Sequence, residues 1–509
     1  MNASEFHDLL DAQIAKCEGN DYLLGRLRTY LDTILPSYLD KADEAHRQRT
    51  IRRDNLTKNC SEFIEKFLLQ NSYTFSSYAE LFFKYEDANL SIYSEDDIQH
   101  EILSQISQAR TLAPWKHKIK ISVMKRIKER SPLLIIPESP TIQGVIDLLR
   151  RGYFPSKTSA KYFMTIIGDF LLGKDSDRIY ITDPSIKNLI NEIMHHSYSL
   201  FGVTSTAFQS MKFKYHSVHP YAQCRLVRSN KFDKAIPVQA ELRRSMLNVL
   251  CVCAHYSTRY HDADGFLSQH ADDDIASHAL WLRSRTLKDI VNSFIEDELQ
   301  ACGDSEISYK NMKFLWKRYL ETLQVPHIAS YESLHQELKE RLDHTKGTEV
   351  FTSLTSPHLP LVSSFRHFWD TYLTKDDDSE LEMSEVVTLF SASGGKIGRS
   401  VTDPPAVLMD LIKHFYPEVL FEEDKYIIGY RCTLWNKGSD VANALECFKV
   451  DQKDLGCEYA TNIDAIYERY SKEPKHRFVS KRFFEKTTLD ILADYVDSEG
   501  YISPSWWAC

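Results

Sequence analysis

The sequence predicts a mainly α-helical protein with small α+β parts, divided into several domains. Apolar residues recur at three- and four-residue spacing along most of the chain, whereas strict alternation is confined to short runs. Of the 509 residues, 43% are hydrophobic and 26% are charged, and Gly and Pro are scarce at 17 each. A chain of this length and composition should fold along nearly its whole length.

The first predicted region, 1–75, is helical. Leucines repeat at helical spacing over residues 24–35, and Pro36 then interrupts the pattern. A central α+β and helical domain, 76–302, follows. It begins with a hairpin over Leu81–Tyr93, because two short β-like runs flank a turn there.

A basic segment, 110–161, contrasts with the acidic balance of the whole chain, whose formal net charge is -10. It holds twelve Lys or Arg against three acidic residues, a local charge of +9. Four apolar residues recur every four positions and predict an amphipathic helix that buries them. They are Trp115, Ile119, Val123 and Ile127. The candidate phosphate-binding residues are Lys116, Lys118, Lys120, Lys125, Arg126, Lys128, Arg130, Arg150, Arg151, Lys157 and Lys161. A solvated helix surface gives the same charge pattern, so both interpretations stay open.

Two boundaries divide the rest of the chain. The first is predicted near Gly303, which separates two helical patterns. The second is an acidic run over 375–385, where six of eleven residues are acidic, and it has the composition of an exposed linker. These boundaries predict a helical module at 303–375, a further module at 383–450, and a C-terminal helical tail at 451–509.

The module at 383–450 has the element order of a winged helix. Its predicted elements are, in order, a helix over 384–390, a turn rich in Ser and Gly, a second helix starting at Asp403, and a hairpin over Val419–Ile428. The hairpin should pack on the second helix and bury Leu408, Leu411 and Ile412. Many winged helices bind DNA, but others bind only proteins, and the second helix here has only two basic residues.

Neither a metal nor a cofactor is expected. Cys251, Cys253 and His255 are close in sequence, but in a helix Cys253 points about 200° away from Cys251, so both thiolates could not reach one ion. The run 272–274 is three aspartates without the glycine of a calcium loop, and it predicts a helix start. No motif of a known catalytic site occurs, which leaves open only a site assembled from distant residues.

Four stretches carry a resemblance to a known family. They are Ala79–Ile106 (AELFFKYEDANLSIYSEDDIQHEILSQI), Trp115–Lys174, Leu250–Phe266 (LCVCAHYSTRYHDADGF) and Ser308–Trp435. The chain resembles an uncharacterised protein family of large nucleocytoplasmic DNA viruses of the mimivirus and algal-virus type. Its winged-helix-like part is also similar to the tails of poxvirus-type primase–helicases. The resemblance implies no activity, and since Ser393–Ser400 lacks the spacing of a P-loop, it implies kinship only with a non-motor part.

These observations together predict a non-enzymatic, nucleic-acid-associated accessory factor of viral replication or transcription. It would bind the phosphate backbone of DNA or RNA through the basic segment. The alternatives are a structural or scaffold protein that binds other viral replication or transcription proteins, and an enzyme with an unrecognised site. The absence of a signal peptide and of a bilayer-length apolar run predicts an intracellular protein without a membrane partner. We expect it in the host cytoplasm, at the viral replication site or packaged in the virion.

Overall fold

The computed structural model describes residues 3–109, 111–174, 177–215, 219–230, 236–345, 347–398, 402–456, 459–472, 479–497 and 499–508. Within these ranges the chain is mainly helical with small sheets, which confirms the predicted fold class at that level. No helix in them is long and apolar enough to cross a membrane. The chain separates into two compact units, Met1–Ser284 and Arg285–Cys509.

The N-terminal unit begins with helices that are almost entirely exposed. They are α1 (Ala3–Cys17), α2 (Asp21–Thr29), a π-helical turn (Tyr30–Ile34) and α3 (Leu35–Gln70). Leu35, the residue before Pro36, has helical backbone angles directly after the π-helical turn, so the chain stays helical where we predicted a break. No described side chain before Cys60 is buried, and only the end of α3 enters a core.

The first core lies under a small antiparallel sheet. It is built from the end of α3 and from β1 (Tyr73–Ser76), β2 (Leu81–Glu86), β3 (Asn89–Tyr93), α4 (Glu95–Gln108) and α5 (Lys116–Lys128). Strands β2 and β3 are the hairpin predicted over Leu81–Tyr93, which is confirmed. Ser94 caps α4 by accepting a hydrogen bond from the backbone N–H of Asp97 at 3.1 Å.

A larger, mostly helical core follows in the same unit. Its elements are α6 (Ser139–Gly152), α7 (Lys157–Leu171), β4 (Ile179–Thr182), α8 (Lys187–Phe201), β5 (Met211–Lys212), β6 (Cys224–Val227), α9 (Ala240–Arg244), α10 (Met246–Tyr260), α11 (Ala263–Gln269) and α12 (Asp273–Ala279). The strands form a parallel sheet in the order β5-β4-β6. Helices α7 and α10 touch at Gly168, where a Cβ would overlap the carbonyl oxygen of Cys253. Asp272 caps α12, as its position in the acidic run predicted.

The C-terminal unit repeats one element order three times: helix, strand, helix and helix, followed by one strand in the first and third modules and by a two-stranded hairpin in the second. The first module, 287–355, contains α13 (Leu287–Glu298), β7 (Gln300–Ser308), α14 (Tyr309–Thr322), α15 (Tyr331–Lys339) and β8 (Val350–Thr355). The second module, 359–432, contains α16 (Leu359–Tyr372), β9 (Leu373–Glu382), α17 (Met383–Ala392), α18 (Pro404–Phe415), β10 (Leu420–Glu422) and β11 (Tyr426–Cys432). The third module, 437–502, contains α19 (Lys437–Asp454), β12 (Thr461–Asn462), α20 (Ile463–Lys472), α21 (Lys481–Ile491) and β13 (Tyr501–Ile502), and α22 (Ser505–Ala508) follows it.

Buried positions recur at fixed intervals in the three modules. The first helices bury Phe294, Phe368 and Phe448, which are spaced by 74 and then 80 residues. The second helices bury Trp316, Phe390 and Tyr470 at the same two intervals. In every module the first strand runs directly into the second helix without a connecting residue. The C-terminal unit therefore contains a triple repeat. Its three modules share the spacing of their buried residues.

Both boundaries predicted in this half fall inside regular structure. Gly303 lies within β7, which pairs with β8, and the two units instead separate after Ser284. The acidic run over 375–385 is not a linker, since most of it forms β9, which pairs with β11 in a sheet of order β10-β11-β9. Basic partners offset its charge and allow a strand there, as at Arg431, which lies 3.6 Å from Asp376.

The predicted hairpin over Val419–Ile428 is present as β10 and β11. The helix predicted to start at Asp403 is α18, and Asp403 caps it by accepting a hydrogen bond from the N–H of Ala406. The three residues predicted to be buried in it are at most 1% exposed: Leu408, Leu411 and Ile412.

Candidate nucleic-acid interface

The centre of the basic segment folds as α5, which the first core holds along one face. Ile119, Val123 and Ile127 are at most 1% exposed, as their spacing predicted. Trp115 was expected to be buried with them, but it is only half-buried. It lies in a single 3-10 turn, Ala113–Trp115, just before α5, at the edge of the core rather than inside it.

A groove of about 350 Å³ runs between α3 and α5. Its lining is Thr57, Cys60, Ser61, Ile64, Trp115, Lys118, Ile119, Ser122, Lys125, Arg126 and Glu129. Lys118, Lys125 and Arg126 supply three cations, and none of them makes an ion pair with a described carboxylate. Three hydroxyl side chains also line the groove, and hydroxyls and cations are the usual donors to phosphate oxygens. Glu129 is the acidic residue of this lining.

The other four cations of this stretch turn toward the protein. Lys116 donates to the hydroxyl of Ser107 at 3.0 Å, and Lys120 donates to the amide oxygen of Gln99 at 3.1 Å. Lys128 lies 3.5 Å from a carboxylate oxygen of Glu95. Arg130 donates to the backbone carbonyl of Leu68 at 3.0 Å. These four residues tie α5 and the turn after it to α4 and α3, so their contacts are structural.

The remaining candidates belong to the second core and form a separate group. Arg150 and Arg151 end α6, and Lys157 and Lys161 lie in α7. Arg150 and Lys157 share one carboxylate, Asp147, at 3.8 and 3.6 Å. In the part of the chain that the structure describes, no hydrogen bond or groove joins this group to the α3–α5 groove, and Arg110 lies outside that part.

Helix α3 extends the basic surface in a way that sequence reasoning missed. Residues 45–58 contain five Lys or Arg and one acidic residue. Arg53 and Arg49 lie one and two turns before Thr57, which lines the groove, so they share its face of the helix, and both are exposed. Two arginines at four-residue spacing, Arg49 and Arg53, were the available signal, but the acidic residues of the preceding turns diluted the local charge.

The floor of the groove is electrically neutral. Burial raises the pKa of the Cys60 thiol, and nearby Lys118 only partly opposes this. The thiol therefore stays protonated near neutral pH and does not neutralise the cations above it. Lys125 and Arg126 also lie in the last turn of α5, where the helix dipole favours positive charge, so stability alone accounts for part of their placement.

A second polar cluster lies far along the chain, where α11 meets β6 and the residue before β4. Asp264 accepts two hydrogen bonds from the buried Arg225, both at 2.9 Å, and one from Arg178 at 2.8 Å. Asp264 also borders a cavity of about 430 Å³. Its oxygens are already bonded to guanidinium groups. The role of this carboxylate is therefore structural, because it links α11 to Arg225 of β6 and to Arg178.

Metal ligands do not gather in the described ranges, where no three His, Cys, Asp or Glu are placed to hold an ion. Cys251 and Cys253 lie in α10, the helical segment that we predicted, and burial raises the pKa of both thiols far above its ordinary value. A scan against protein-family models and a search of curated proteins gave no match to this chain.

Proposed function

We propose that the protein is a non-enzymatic, nucleic-acid-associated accessory factor that binds phosphate backbones through the α3–α5 groove. The observation that carries the proposal is a set of three cations, Lys118, Lys125 and Arg126, that share a groove with hydroxyl side chains and lack carboxylate partners among the described residues. Anions from the solvent surround such unpaired cations. A phosphodiester can replace these anions, and the counterions released from the nucleic acid favour binding. The viral replication or transcription context rests on the sequence resemblance.

A salt titration of the full chain tests this proposal. We expect binding to DNA or RNA at low salt, and a slope of log affinity against log salt that flattens by about 0.7 to 0.9 for each lost phosphate contact. The test variant is Lys118→Gln/Lys125→Gln/Arg126→Gln. It omits Lys128, because that residue pairs with Glu95. Exposed charges contribute little to stability, so the variant should keep its circular dichroism spectrum.

The matched control removes three exposed lysines from the C-terminal unit, Lys339, Lys396 and Lys453, by substitution with Gln. It changes the net charge of the chain by the same amount, so a non-specific charge effect would weaken binding equally in both variants. We expect the control to bind like wild type. Absence of binding by wild type at low salt, or equal affinity of the groove variant, would overturn the proposal.

We further propose that the second module is a winged helix that contacts protein rather than reading DNA. Its order of helix, strand, helix, helix and hairpin, with β11 between β10 and β9, is that of the winged helix. The helix that would enter a major groove is α18. Lys310 of α14 donates to the carbonyl of Phe415 at 2.9 Å, and His414 lies 3.0 Å from the carbonyl of Lys310, so the end of α18 is already occupied.

The charge of this unit supports the same interpretation. Residues 285–509 hold 26 Lys or Arg and 38 Asp or Glu, a formal net charge of -12, which repels polyanions. Lys413, a basic residue of α18, pairs with Asp424 at 3.5 Å. In the same salt titration Lys413→Gln should therefore change affinity less than twofold. A loss as large as that of the groove variant would instead assign nucleic-acid contact to α18.

A further inference from the structure

Trp115 separates two open spaces beside α5. One is the α3–α5 groove, and the other is a cavity of about 470 Å³ lined by Pro114, Trp115, His117, Lys118, Ile121 and Ser122. Trp115, Lys118 and Ser122 line both spaces and so form their common wall. The indole thus borders open volume that a ligand can enter, and this explains why it is less buried than its spacing predicted.

The chemistry of this wall suits a nucleobase as well as a phosphate. The ammonium of Lys118 lies over one face of the Trp115 ring, 4.5 Å from its centroid, so this wall combines a cation with an aromatic side chain. Ile121, 54% exposed, adds apolar surface in the second cavity. Proteins that hold single strands combine aromatic side chains, on which bases stack, with cations that follow the backbone.

The packing around α5 disfavours a duplex. A helix that reads duplex DNA must enter a major groove about 12 Å wide. Helix α5 is packed against α3 on one side and α4 on another, so the cations of the groove lie in a channel shared with α3 and not on a helix that projects by itself. Because packed helices lie about 8–10 Å apart from axis to axis, the surface groove along their junction is narrower than a duplex and suits a single strand with unpaired bases.

The arginines of α3 lengthen the path for such a strand. Arg49 precedes Ile64, a residue of the groove lining, by fifteen residues, which is about 22 Å along a helix. Arg53 lies between them on the same face, one turn from Thr57. A basic track of this length fits the few nucleotides that a small single-strand site covers.

We propose that Trp115 is a base-stacking platform and that the α3–α5 groove, continued by Arg53 and Arg49, binds single-stranded nucleic acid in preference to duplex. This inference rests on the proposed function, because it specifies the ligand of the same groove. It assigns Trp115 a contact with the base, while the cations contact the backbone.

The test compares the full chain on a mixed-sequence single strand of about 15 nucleotides and on the corresponding duplex. Trp115→Leu keeps an apolar side chain but removes the aromatic face. It should weaken single-strand binding about 5- to 150-fold, the range for loss of one stacked base. Duplex binding should change less than twofold. Trp115→Phe, which restores a stacking surface, should recover most of the single-strand affinity.

Tyr198→Leu is the matched control, because Tyr198 is a 53% exposed aromatic residue of the same unit outside the groove. It should bind like wild type. Arg49→Gln/Arg53→Gln should flatten the salt slope on the single strand by about 1.4, or about 0.7 for each lost contact. Photo-crosslinking of the wild-type chain to a bromodeoxyuridine strand covers the case in which Trp115→Leu misfolds, and it should mark peptides that contain Trp115.

The outcomes separate this inference from the proposal beneath it. If wild type binds neither strand form, the proposed function fails and the inference fails with it. If duplex binds as tightly as single strand and Trp115→Leu binds both like wild type, the groove remains a phosphate site and the stacking platform is overturned. Crosslinks confined to the C-terminal unit would overturn both.

Discussion

The two units of the chain differ in net charge and in what some of their cations contact. The N-terminal unit holds 36 Lys or Arg against 34 Asp or Glu, a formal charge of +2, and the C-terminal unit carries -12. In the groove of the first unit three cations face solvent without carboxylate partners among the described residues. In the second unit Lys437 lies buried, 2.8 Å from Glu385. A basic residue is therefore informative about binding only when its partners are known.

The buried pair of the C-terminal unit has a structural role. Glu385 caps α17 by accepting the N–H of Glu382 at 2.9 Å, and its other oxygen accepts the N–H of Ser480 at 2.7 Å. Lys437 also donates to the carbonyl of Glu380 at 3.0 Å. Because Lys437 and Ser480 belong to the third module and Glu385 belongs to the second, these bonds hold two modules of the repeat together.

Breaking this pair should be among the largest effects. Lys437→Met leaves the carboxylate of Glu385 buried without its cation, which typically costs about 3–5 kcal/mol of unfolding free energy. Adding Glu385→Gln should recover part of the loss. Chemical denaturation followed by circular dichroism measures both variants. A loss below about 1 kcal/mol would mean that the pair is not buried as described.

The same substitution, Lys437→Met, should also change how the unfolding free energy depends on pH. Burial lowers the pKa of Lys437, and Glu385 only partly offsets this. Between that lowered pKa and the ordinary value the unfolded chain binds more protons than the folded one, so the wild-type unfolding free energy rises with pH there. Lys437→Met should lack this rise, while nucleic-acid binding by the N-terminal unit should stay unchanged.

The triple repeat predicts that substitutions at equivalent positions lower the unfolding free energy by equal amounts. Phe294, Phe368 and Phe448 are 0%, 2% and 5% exposed at the same place in the three modules. Replacing each by Ala should lower the unfolding free energy by about 3–5 kcal/mol. Val450→Ala in α19, where the side chain is 55% exposed, is the control and should stay within about 0.5 kcal/mol. A negligible cost at one of the three phenylalanines would exclude that module from the repeat.

Local spacing predicted local structure well. The hairpin over Leu81–Tyr93, the buried face of α5 and the hairpin over Val419–Ile428 all follow from periodicity and turn residues that neighbour one another in the chain. The acidic run over 375–385 was assigned wrongly because its basic partners, such as Lys437, come from distant parts of the chain. Composition alone cannot reveal such partners.

The candidate site was only partly predictable for the same reason. Sequence pattern identified Lys118, Lys125 and Arg126 but could not separate them from Lys116 and Lys120, which bond to α4. Nor could it show that α3 forms the other wall of the groove, because α3 and α5 are some fifty residues apart. The triple repeat was missed because only one of its two shared buried positions, the phenylalanine of the first helix, is the same residue in all three modules.

The smallest expected effect is a change of stability with pH that arises in the second core of the N-terminal unit. Asp169 is buried in α7 and accepts hydrogen bonds from Ser257 at 2.6 Å and from the N–H of Ala263 at 2.8 Å. Burial nevertheless raises the pKa of Asp169 above its ordinary value of 3.8. The folded chain then keeps a proton that the unfolded chain has released. The stabilisation is complete below the unfolded pKa and is lost as pH rises through the folded pKa.

Asp169→Asn should flatten this decline, measured as the urea midpoint of the chain from about pH 4 to pH 7. Asp264 gives the opposite case in the same unit. Burial alone would raise its pKa, but the hydrogen bonds and charges of Arg225 and Arg178 outweigh burial and hold the pKa below its usual range. The stabilisation from Asp264 is lost as pH falls through its folded pKa. Asp264→Asn should therefore flatten the decrease of the urea midpoint toward acidic pH. If both variants shifted the midpoint equally at every pH, the two carboxylates would not differ in ionisation, and their opposite surroundings would have no consequence for stability.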